Sequence, residues 1–437
     1  MNTYFKNLIS RLRRHLGSGR FVRQVFTLVS GTAIAQALSL LLAPVLTRLY
    51  EPSSFGTFGI FLAIISVIGV VVCLKYEVSI VLPSSDKLAA NLFVLGILIS
   101  LGLSILAYIL TLSCPSIFSY WIKDNSFGVL LSGIPASLGL TGIICCTNYW
   151  LIRKQRFTMV SISRIGQTLF TVLGQIGAYF LISDPISGLI QGYIFGQVVG
   201  SLISISSILK NDFRSFLYGA ISVKRIILGM KKYKKYPLVS SWQEAIGSFT
   251  DSLPTFFFAR LFTNEIVGYY TFGRRAISAP LGLVGQSIGP VLFQRMVVAE
   301  AGDIGAKAWV VPILKKMAVF IFTFFIGMIF APDIFAFVFG EEWRVSGEYM
   351  RILSLGLGFR FLSSPLTVVF NVKMRQEISA LWKIIALATT VGCLYLFSEN
   401  NANPEGLLWA LTIVNVLLGI LHTYFVIKVA YSDRSAI

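Results

Sequence analysis

Four arginines lie inside stretches of the chain that are otherwise apolar enough to cross a membrane. Arg274 and Arg275 fall in one such stretch, and Arg351 and Arg360 fall in another. A charged side chain in hydrocarbon is costly, so such residues usually face a cavity, a partner or a transport pathway. Arg351 lies near one end of its stretch, from which its side chain can reach the interface, whereas Arg275 and Arg360 lie deeper. We therefore predict that Arg275 and Arg360, together with Arg274, bind a substrate.

The chemistry that suits these arginines is recognition of an anion. A guanidinium group is planar, stays protonated when partly buried and donates paired hydrogen bonds that match phosphate oxygens. A cavity with unpaired arginines therefore selects an anionic headgroup such as a diphosphate. If the ligand also carries a long lipid tail, the tail can remain in the bilayer while the headgroup crosses.

Helical spacing extends this polar surface beyond Arg275. In the same stretch Ser278, Gly282, Gln286 and Gly289 fall on the helical face that carries Arg275. An arginine and a glutamine then share one polar stripe with small residues between them. We include Gln286 among the substrate-binding candidates for this reason.

The first apolar stretch carries a weaker polar set. Ser30, Thr32, Gln36 and Ser39 lie near one another beside Gly31. Serine, threonine and glycine often mediate close packing between membrane helices, and that interpretation stays open for most of the set. Gln36 has a larger amide group, and we predict that it contributes to substrate binding.

Two carboxylates stand on one face of the seventh apolar stretch. Glu244 and Asp251 share this face with two serines. In one interpretation the carboxylates neutralise Arg274 or Arg275, which is less costly than leaving either charge bare. In the other, a carboxylate binds H⁺ or Na⁺ and releases an arginine for the substrate, so that an ion gradient drives transport. Both interpretations remain open from the sequence.

The composition indicates the kind of protein that positions these residues. The chain is 55% hydrophobic and only 13% charged, against roughly 25% charged residues in soluble proteins. Backbone groups inside lipid must be satisfied within each segment, which makes the spans helices and predicts an all-α fold. A chain of 437 residues has room for twelve spans of roughly 20–25 residues. We predict them near residues 25–47, 55–74, 88–112, 127–150, 158–182, 186–208, 236–261, 266–292, 309–331, 346–371, 378–397 and 406–430.

An internal repeat divides these spans into two halves. Arg48-Leu49-Tyr50, followed after five residues by Gly56-Thr57-Phe58, recurs 212 positions later as Arg260-Leu261-Phe262 and Gly268-Tyr269-Tyr270. Adding the same offset to the first six spans gives positions inside the last six. We therefore predict two six-helix lobes in the same orientation around a central cavity, the arrangement in which transporters bind substrate between the repeats.

The formal charge of +18 follows the predicted topology. Most lysines and arginines fall in the connections on the side of the two termini, whereas many of the acidic residues fall on the opposite side. The positive-inside rule then predicts that both termini are cytoplasmic. The basic clusters adjoin apolar spans and form no separate domain, so we expect contacts with anionic membrane lipids and no nucleic-acid partner.

Two basic segments lie outside the spans. Residues 1–24 form an amphipathic segment without a signal-peptide cleavage site, which predicts a surface helix on the inner leaflet. Residues 209–235 form a cytoplasmic linker between an N-lobe at 25–208 and a C-lobe at 236–437. The linker either tethers the lobes near the headgroups or docks cytoplasmic partners.

Residue types that serve catalysis are scarce. The five cysteines and two histidines show no metal-ligand or redox spacing, and the chain has no Walker-type glycine loop. We therefore predict a transporter and not an enzyme, with no cofactor and no metal. Its energy would come from substrate gradients or from H⁺ or Na⁺ movement.

An ordered set of motifs runs from about Phe26 to Gln376. The motifs are Ser30-Gly31-Thr32-Ala33-Ile34-Ala35-Gln36, Pro44 to Tyr50 with Phe55-Gly56, Lys75-Tyr76-Glu77 with Ile80-Val81-Leu82-Pro83, Val267-Gly268-Tyr269-Tyr270, Arg275, Leu281 to Gly289 with Phe293-Gln294-Arg295, and Arg360 to Leu366. This ordered set resembles polysaccharide exporters and O-antigen flippases of the multidrug/oligosaccharidyl-lipid/polysaccharide (MOP) superfamily.

The resemblance implies a flippase of the bacterial inner membrane that moves undecaprenyl-diphosphate-linked oligosaccharide to the periplasmic face, in pathways such as lipopolysaccharide biosynthesis. Arg275 and Arg360 match family positions, whereas Arg274 is an additional basic residue. Lys75 and Glu77, in the motif after the second span, are candidates for a cytoplasmic gate. Ion coupling and contacts with other polysaccharide-assembly proteins are also expected by analogy.

One match is incomplete. Asp251 lies where some relatives carry an aspartate followed by a basic residue, but Ser252 follows it here. This departure weakens the transfer of a coupling role to Asp251.

Two other classes of function stay open at this point. A multidrug antiporter of the same fold predicts a cavity dominated by carboxylates, whereas the clearest intramembrane charges here are arginines. A membrane-embedded polysaccharide-assembly enzyme predicts clustered catalytic acids, a reactive histidine or a large periplasmic loop. The predicted outer loops are too short for the last of these.

Overall fold

The computed structural model describes residues 19–113, 127–217, 221–301, 307–373, 375–398 and 403–431, and the statements below refer to these residues. The predicted surface segment 1–24 lies outside the described residues up to residue 18. The first long helix already begins at Gly19, six residues before the predicted start of the first span.

Twelve helices of 18 residues or more make up most of the described chain, which confirms the all-α prediction. In chain order they are α1 (Gly19–Leu49), α2 (Pro52–Gly69), α3 (Asp86–Ser113), α4 (Phe127–Arg153), α5 (Phe157–Leu181), α6 (Pro185–Leu217), α7 (Ser241–Leu261), α8 (Asn264–Ala301), α9 (Lys307–Ile329), α10 (Arg344–Ser363), α11 (Gln376–Ser398) and α12 (Pro404–Tyr431). Each predicted span overlaps one of them.

Eight of these helices are by themselves long and apolar enough to cross a membrane, within the described residues. The other four are α4, α5, α7 and α8. Three of the four, α5, α7 and α8, carry charged residues that line the internal cavities described below. A helix that turns a polar stripe toward a cavity has a lower mean hydropathy than one surrounded by lipid and protein.

Shorter helices connect the long ones. They are Tyr76–Ser79, Val223–Lys232, Ala331–Phe339 and Val368–Val372, and a π-helical turn at Tyr236–Ser240 leads into α7. The helix α6 continues to Leu217, past the predicted end of the N-lobe at residue 208. The short helix Val223–Lys232 belongs to the predicted linker and is held against the N-lobe. The hydroxyl of Tyr76 in the N-lobe donates a hydrogen bond to the backbone oxygen of Met230 in this helix at 3.3 Å.

The helices pack mainly within each half of the chain. In the N-lobe, α5 packs on α1 and α6, and α4 packs on α3 and α6. In the C-lobe, α10 packs on α8, α9 and α12, and α11 packs on α7 and α12. Contacts between the lobes run through α2 with α7 and α8, and through α1 with α8.

The repeated motif forms the closest contact between the lobes. Gly56 and Gly268, the equivalent glycines of the two copies, lie against each other where α2 crosses α8. A Cβ atom on Gly56 would overlap the carbonyl oxygen of Asn264, and one on Gly268 would overlap that of Pro52. Small residues let two membrane helices approach backbone to backbone. The two copies of the repeated motif therefore meet at the contact between the lobes, which we call the lobe seam.

Aromatic packing reinforces this seam at the end of the bundle where α1 and α2 are connected. The ring of Trp343 lies 5.1 Å from that of Phe55 and 4.4 Å from that of Phe272, measured between ring centres. The indole nitrogen of Trp343 donates a hydrogen bond to the backbone oxygen of Thr47 at 3.2 Å, and the Thr47 hydroxyl donates to the backbone oxygen of Phe339 at 2.9 Å. Buried aromatic pairs of this kind add about 0.5–1.5 kcal/mol each beyond their area.

Candidate functional site

Two cavities lie on either side of α8. The first, which we call the N-cavity, has a volume of about 530 Å³ and lies among α1, α2, α5, α6 and α8. Its polar lining consists of Thr32, Gln36, Ser39, Arg164, Gln167, Thr168, Thr171, Gln175, Tyr193, Thr271, Arg275 and Ser278. The remaining lining is apolar and aromatic. Within the described residues, the lining contains two arginines and no carboxylate.

Arg275 reaches the N-cavity from α8. Its side chain is exposed to the cavity although α8 packs against helices of both lobes. Among the described residues it makes no ion pair, and Tyr193 of α6 lines the same cavity. Ser278, one turn further along α8, lines the same cavity, as the helical spacing predicts. Gln286 also lies on α8, but its side chain is outside the described part of the structure.

The second cation of the N-cavity is Arg164, a residue that the motifs in the sequence do not single out. The structure places it on α5, two turns after the helix begins at Phe157. Its guanidinium Nη1 donates a 2.6 Å hydrogen bond to the hydroxyl of Thr32 on α1. The signal that could have found it is its position inside the predicted span 158–182. By contrast Arg156, just before α5, pairs with Asp212 at 2.8 Å.

Gln36, a predicted substrate-binding residue, lines the N-cavity from α1. Its amide oxygen is buried and has no hydrogen-bond partner among the described residues. The backbone of α1 comes close to α5 because Gly31 has no side chain, and a Cβ there would overlap Ser161. A buried amide without a partner is costly unless a ligand or water satisfies it. Gln36 is therefore placed to bind a polar ligand beside the two arginines.

The second cavity, the C-cavity, has a volume of about 450 Å³ and lies among α7, α8, α10, α11 and α12. Its polar and aromatic lining consists of Glu244, Ser248, Thr250, Asp251, Tyr270, Arg274, Arg360, Ser364, Thr367, Ser379, Trp382, Lys383, Thr390, Asn415 and His422. It contains three basic residues, Arg274, Arg360 and Lys383, and two carboxylates.

Two of the three basic residues of the C-cavity are paired with its carboxylates. The carboxylate of Asp251 accepts a short charge-assisted hydrogen bond from Arg360, and both side chains are about half exposed. Arg274 donates from its guanidinium to the backbone oxygen of Asp251 at 2.5 Å. The basic partner of the Asp251 carboxylate is thus Arg360. Neither Arg274 nor Arg275 forms that ion pair among the described residues. Of the predicted substrate-binding arginines, Arg360 and Arg274 lie here, whereas Arg275 lies in the N-cavity.

The other predicted carboxylate of α7 has a partner that the sequence did not single out. Lys383 on α11 lies 3.2 Å from the Glu244 carboxylate and donates to the backbone oxygen of Gln243 at the same distance. Lys383 falls inside the predicted eleventh span, which is the signal that marks it. Ser248, a serine of the predicted stripe, lines the C-cavity with both carboxylates, and its hydroxyl donates to the backbone oxygen of Ser66 in α2.

Lys75 and Glu77, the predicted gate residues, lie outside both cavities in the turn between α2 and α3. Lys75 has a left-handed backbone with φ of 60°. Glu77 is 4% exposed, its Oε1 lies 3.9 Å from the Lys75 ammonium, and its Oε2 has no hydrogen-bond partner among the described residues. Burial raises the pKa of the Glu77 carboxyl above its ordinary value, although the backbone N–H and Lys75 oppose the shift.

Comparison with known protein families gives one match over most of the chain. The model of a family described as polysaccharide biosynthesis protein matches residues 45–348. No curated protein matches the chain.

Comparison with solved structures gives the fold. The chain superimposes on an inward-facing multidrug resistance MATE family transporter of the MOP superfamily with a TM-score of 0.69 and 17% identity, covering 94% of this chain and 100% of that one. It superimposes on the lipid II flippase MurJ in an inward closed conformation with a TM-score of 0.69 and 15% identity, covering 92% and 87%. A MOP superfamily transporter from Pyrococcus furiosus, described as having a binding pocket of reversed polarity, gives a TM-score of 0.62 and 16% identity, covering 94% and 96%.

Proposed function

Because the chain belongs to the polysaccharide biosynthesis protein family and has the MOP-superfamily transporter fold, we propose that it is a flippase for a polyprenyl-diphosphate-linked oligosaccharide. The predictions of a multi-pass membrane protein and of a transporter rather than an enzyme are confirmed. The proposal adds the substrate, an undecaprenyl-diphosphate-linked repeat unit of O-antigen or a similar polysaccharide. It also adds the direction, from the cytoplasmic to the periplasmic leaflet of a bacterial inner membrane.

The observation that carries this proposal is the N-cavity. Two guanidinium groups, those of Arg164 and Arg275, line a space whose described lining contains no carboxylate. A diphosphate brings the missing negative charge and enough oxygen acceptors for the N–H groups of both arginines and of the Gln36 amide nitrogen. An organic cation, the substrate expected of a multidrug antiporter, would be repelled there. The charge of the N-cavity therefore favours the lipid-linked diphosphate over the antiporter alternative.

The lobe seam supports transport by alternating access. The two lobes meet through a close backbone crossing at two glycines and through a cluster of aromatic rings. The cavities, in contrast, are lined by side chains of neighbouring helices. In this proposal the headgroup enters from the cytoplasmic side, binds the arginines and leaves after the lobes rock about the seam. The lipid tail stays in the bilayer throughout.

Energy coupling is part of the proposal. The carboxylates of Asp251 and Glu244 each hold a cation, Arg360 and Lys383 respectively. Binding of H⁺ or Na⁺ to either carboxylate would release its basic partner and so change the charge that the C-cavity presents to a substrate. We propose that an H⁺ or Na⁺ gradient drives flipping in this way. The proposal also places both chain termini in the cytoplasm, where the linker near 209–235 is available to other assembly proteins.

Reconstitution tests the proposed substrate directly. The protein would be placed in liposomes with fluorescent undecaprenyl-diphosphate-linked oligosaccharide, and flipping would be measured by access of a membrane-impermeant quencher. We expect Arg275→Ala and Arg164→Ala to slow flipping by roughly ten- to a hundredfold, since each removes a charge-assisted contact of about 1.5–3 kcal/mol. Arg275→Lys should rescue poorly because the planar fork is lost.

Arg351→Ala is the matched control. Arg351 is an arginine of α10 that lines neither cavity, so its loss should leave flipping within about twofold of the wild-type rate. Complementation of a strain that lacks its own O-unit flippase provides the cellular readout, with protein levels measured in parallel. Wild-type rates in both N-cavity alanine variants, or transport of an organic cation in place of the lipid, would reject the proposal.

A further inference from the structure

The C-cavity has the chemical character of a carbohydrate site rather than an anion site. Two of its three basic groups are matched by carboxylates, because Asp251 accepts from Arg360 and Glu244 lies beside Lys383. The third, Arg274, donates to the backbone oxygen of Asp251. A diphosphate placed here would face two carboxylates, whose repulsion would offset the attraction of the basic groups. A neutral polyhydroxyl ligand has no such conflict, since each hydroxyl can both donate to a carboxylate and accept from a guanidinium.

An aromatic platform completes this character. Trp382 of α11 lines the C-cavity, and its ring lies 4.9 Å from the imidazole of His422 on α12. Contact with His422 fixes the indole in place, and Phe425 lies 6.3 Å from the same indole. A held aromatic ring beside groups of both hydrogen-bonding kinds suits the apolar C–H face and the polar edge of a sugar ring.

The helix α8 lies between this cavity and the N-cavity and contributes side chains to both. Arg274 and Arg275 are consecutive residues, and successive side chains of a helix diverge by about 100°. Arg274 therefore lines the C-cavity while Arg275 lines the N-cavity. In a lipid-linked oligosaccharide the first sugar is bonded directly to the diphosphate. A ligand that spans α8 would therefore present its diphosphate to the N-cavity and its sugar to the C-cavity.

We propose that the C-cavity is the glycan subsite of this transporter, separate from the anion subsite of the N-cavity. This inference rests on the proposed flippase function and assigns its substrate specificity to Trp382 and the paired groups Asp251, Arg360, Glu244 and Lys383. The cavity volume of about 450 Å³ lies in the roughly 300–1,000 Å³ range of small-molecule sites. It therefore holds a short part of a repeat unit and not a long chain.

Two probes separate the subsites. One is undecaprenyl diphosphate without sugar, and the other is the free repeat-unit oligosaccharide released by mild acid from lipid-linked material of a strain lacking this protein. Binding of each to the full chain in nanodiscs would be measured by calorimetry. Trp382→Ala should weaken oligosaccharide binding by about three- to tenfold and leave undecaprenyl diphosphate binding within twofold. Arg275→Ala should do the reverse.

Two further variants guard the result. Trp382→Phe keeps an aromatic ring and should retain most oligosaccharide binding. If the indole had only a structural role, its substitutions would not affect the sugar probe alone. Trp409→Ala removes an exposed tryptophan of α12 that lines neither cavity, and should change neither affinity.

The outcomes distinguish this inference from the proposed function. Failure of undecaprenyl diphosphate to bind, or its unchanged binding to Arg275→Ala, would contradict the flippase proposal. If that probe behaves as expected but Trp382→Ala weakens both probes equally or neither, the glycan subsite alone is wrong. Sodium binding that Asp251→Asn abolishes, with oligosaccharide affinity unchanged in that variant and in Trp382→Ala, would make the C-cavity an ion site instead.

Discussion

The N-cavity and the C-cavity differ in how their charges are matched. The N-cavity holds two arginines and no carboxylate among its described lining residues, whereas the C-cavity holds three basic residues and two carboxylates, which pair with two of the three. Arginines that lack a counter-ion leave a strong demand for an external anion, and paired charges leave almost none. Two sites of similar volume in one duplicated fold are thereby suited to different parts of one ligand.

The difference also shows why the number of arginines at membrane depth is a poor guide by itself. Arg360 and Arg275 both lie in helices that coincide with predicted membrane spans. Only the second is without a carboxylate partner in the described structure, because Asp251 on α7 reaches Arg360 and not Arg275. The location of the carboxylate therefore decides which arginine meets the anion.

The largest effect should come from the seam that both cavities share. Gly268→Val places a branched side chain against the backbone of Pro52, where even a Cβ atom would overlap the carbonyl oxygen. Overpacking costs about 1–3 kcal/mol or more, and a contact with backbone leaves little room to relax. We expect loss of flipping together with loss of binding of both probes. Fluorescence-detected gel filtration would report how much folded protein remains.

Gly327→Val is the control for this substitution, because a Cβ atom at Gly327 in α9 meets nothing within 4 Å. It should leave folding and flipping unchanged. A Gly268→Val protein that transports normally would mean that the lobes do not depend on the glycine crossing.

A new acid in the N-cavity should remove the difference between the two cavities. Gln36→Glu would place a carboxylate beside Arg164 and Arg275 and supply the counter-ion that the cavity lacks. We expect undecaprenyl diphosphate to bind roughly ten- to a hundredfold more weakly, since the acid both pairs with the arginines and repels the anion. Gln36→Met, which removes the amide without adding charge, should cost less than tenfold.

The measurement is calorimetry with the two probes already named. Free oligosaccharide should bind to Gln36→Glu as it does to the wild type if the cavities act separately. Equal affinity of Gln36→Glu and wild-type protein for undecaprenyl diphosphate would show that the anion does not enter the N-cavity.

Much of the fold, and part of the site, can be predicted from the sequence. Apolar stretches and the repeat at Gly56 and Gly268 are local patterns, so they predict the twelve helices and their division into halves. Which helix face meets which neighbour depends on packing between distant segments. Arg164 illustrates this limit, because only the contact of α5 with α1 shows that it faces a cavity rather than the headgroups. The pairing of Glu244 with Lys383, 139 residues apart, is of the same kind.

A smaller effect is expected from removing the paired acids of the C-cavity. Asp251→Asn imitates the protonated carboxyl and should abolish the response of flipping to an imposed proton gradient. One pH unit supplies about 1.4 kcal/mol, so the wild-type rate should rise by at most about tenfold in the gradient. Because the Asp251–Arg360 pair is about half exposed, the same change should cost no more than about 1 kcal/mol of stability.

Proteoliposomes with an imposed proton or sodium gradient provide the measurement, with Glu244→Gln tested beside Asp251→Asn. A response to the gradient that survives in both variants at the wild-type size would mean that the acids only neutralise Arg360 and Lys383. Coupling would then have to be sought outside the C-cavity.

The smallest effect concerns Glu77, a buried acid outside both cavities whose partner, Lys75, lies at 3.9 Å. Burial raises the pKa of its carboxyl above the ordinary value of 4.5. The folded protein therefore binds this proton more tightly than the unfolded chain does. The resulting stability is fully present below pH 4.5, and it is lost as the pH rises through the higher pKa of the folded state. Glu77→Gln keeps the shape and removes the charge.

We therefore expect Glu77→Gln to raise the apparent Tm at pH 8 by about 1–3 °C in detergent, and the gain to shrink toward pH 5. Glu342→Gln, at an exposed position in the opposite end of the bundle, should change Tm at neither pH. A Glu77→Gln protein that is less stable than the wild type at pH 8 would show that the ionised carboxylate is needed, with Lys75 as a true partner. Charge pairing would then extend beyond the C-cavity. The two N-cavity arginines, which have no carboxylate partner among the described residues, would contrast more clearly with the paired charges and be the better candidates to bind an external anion.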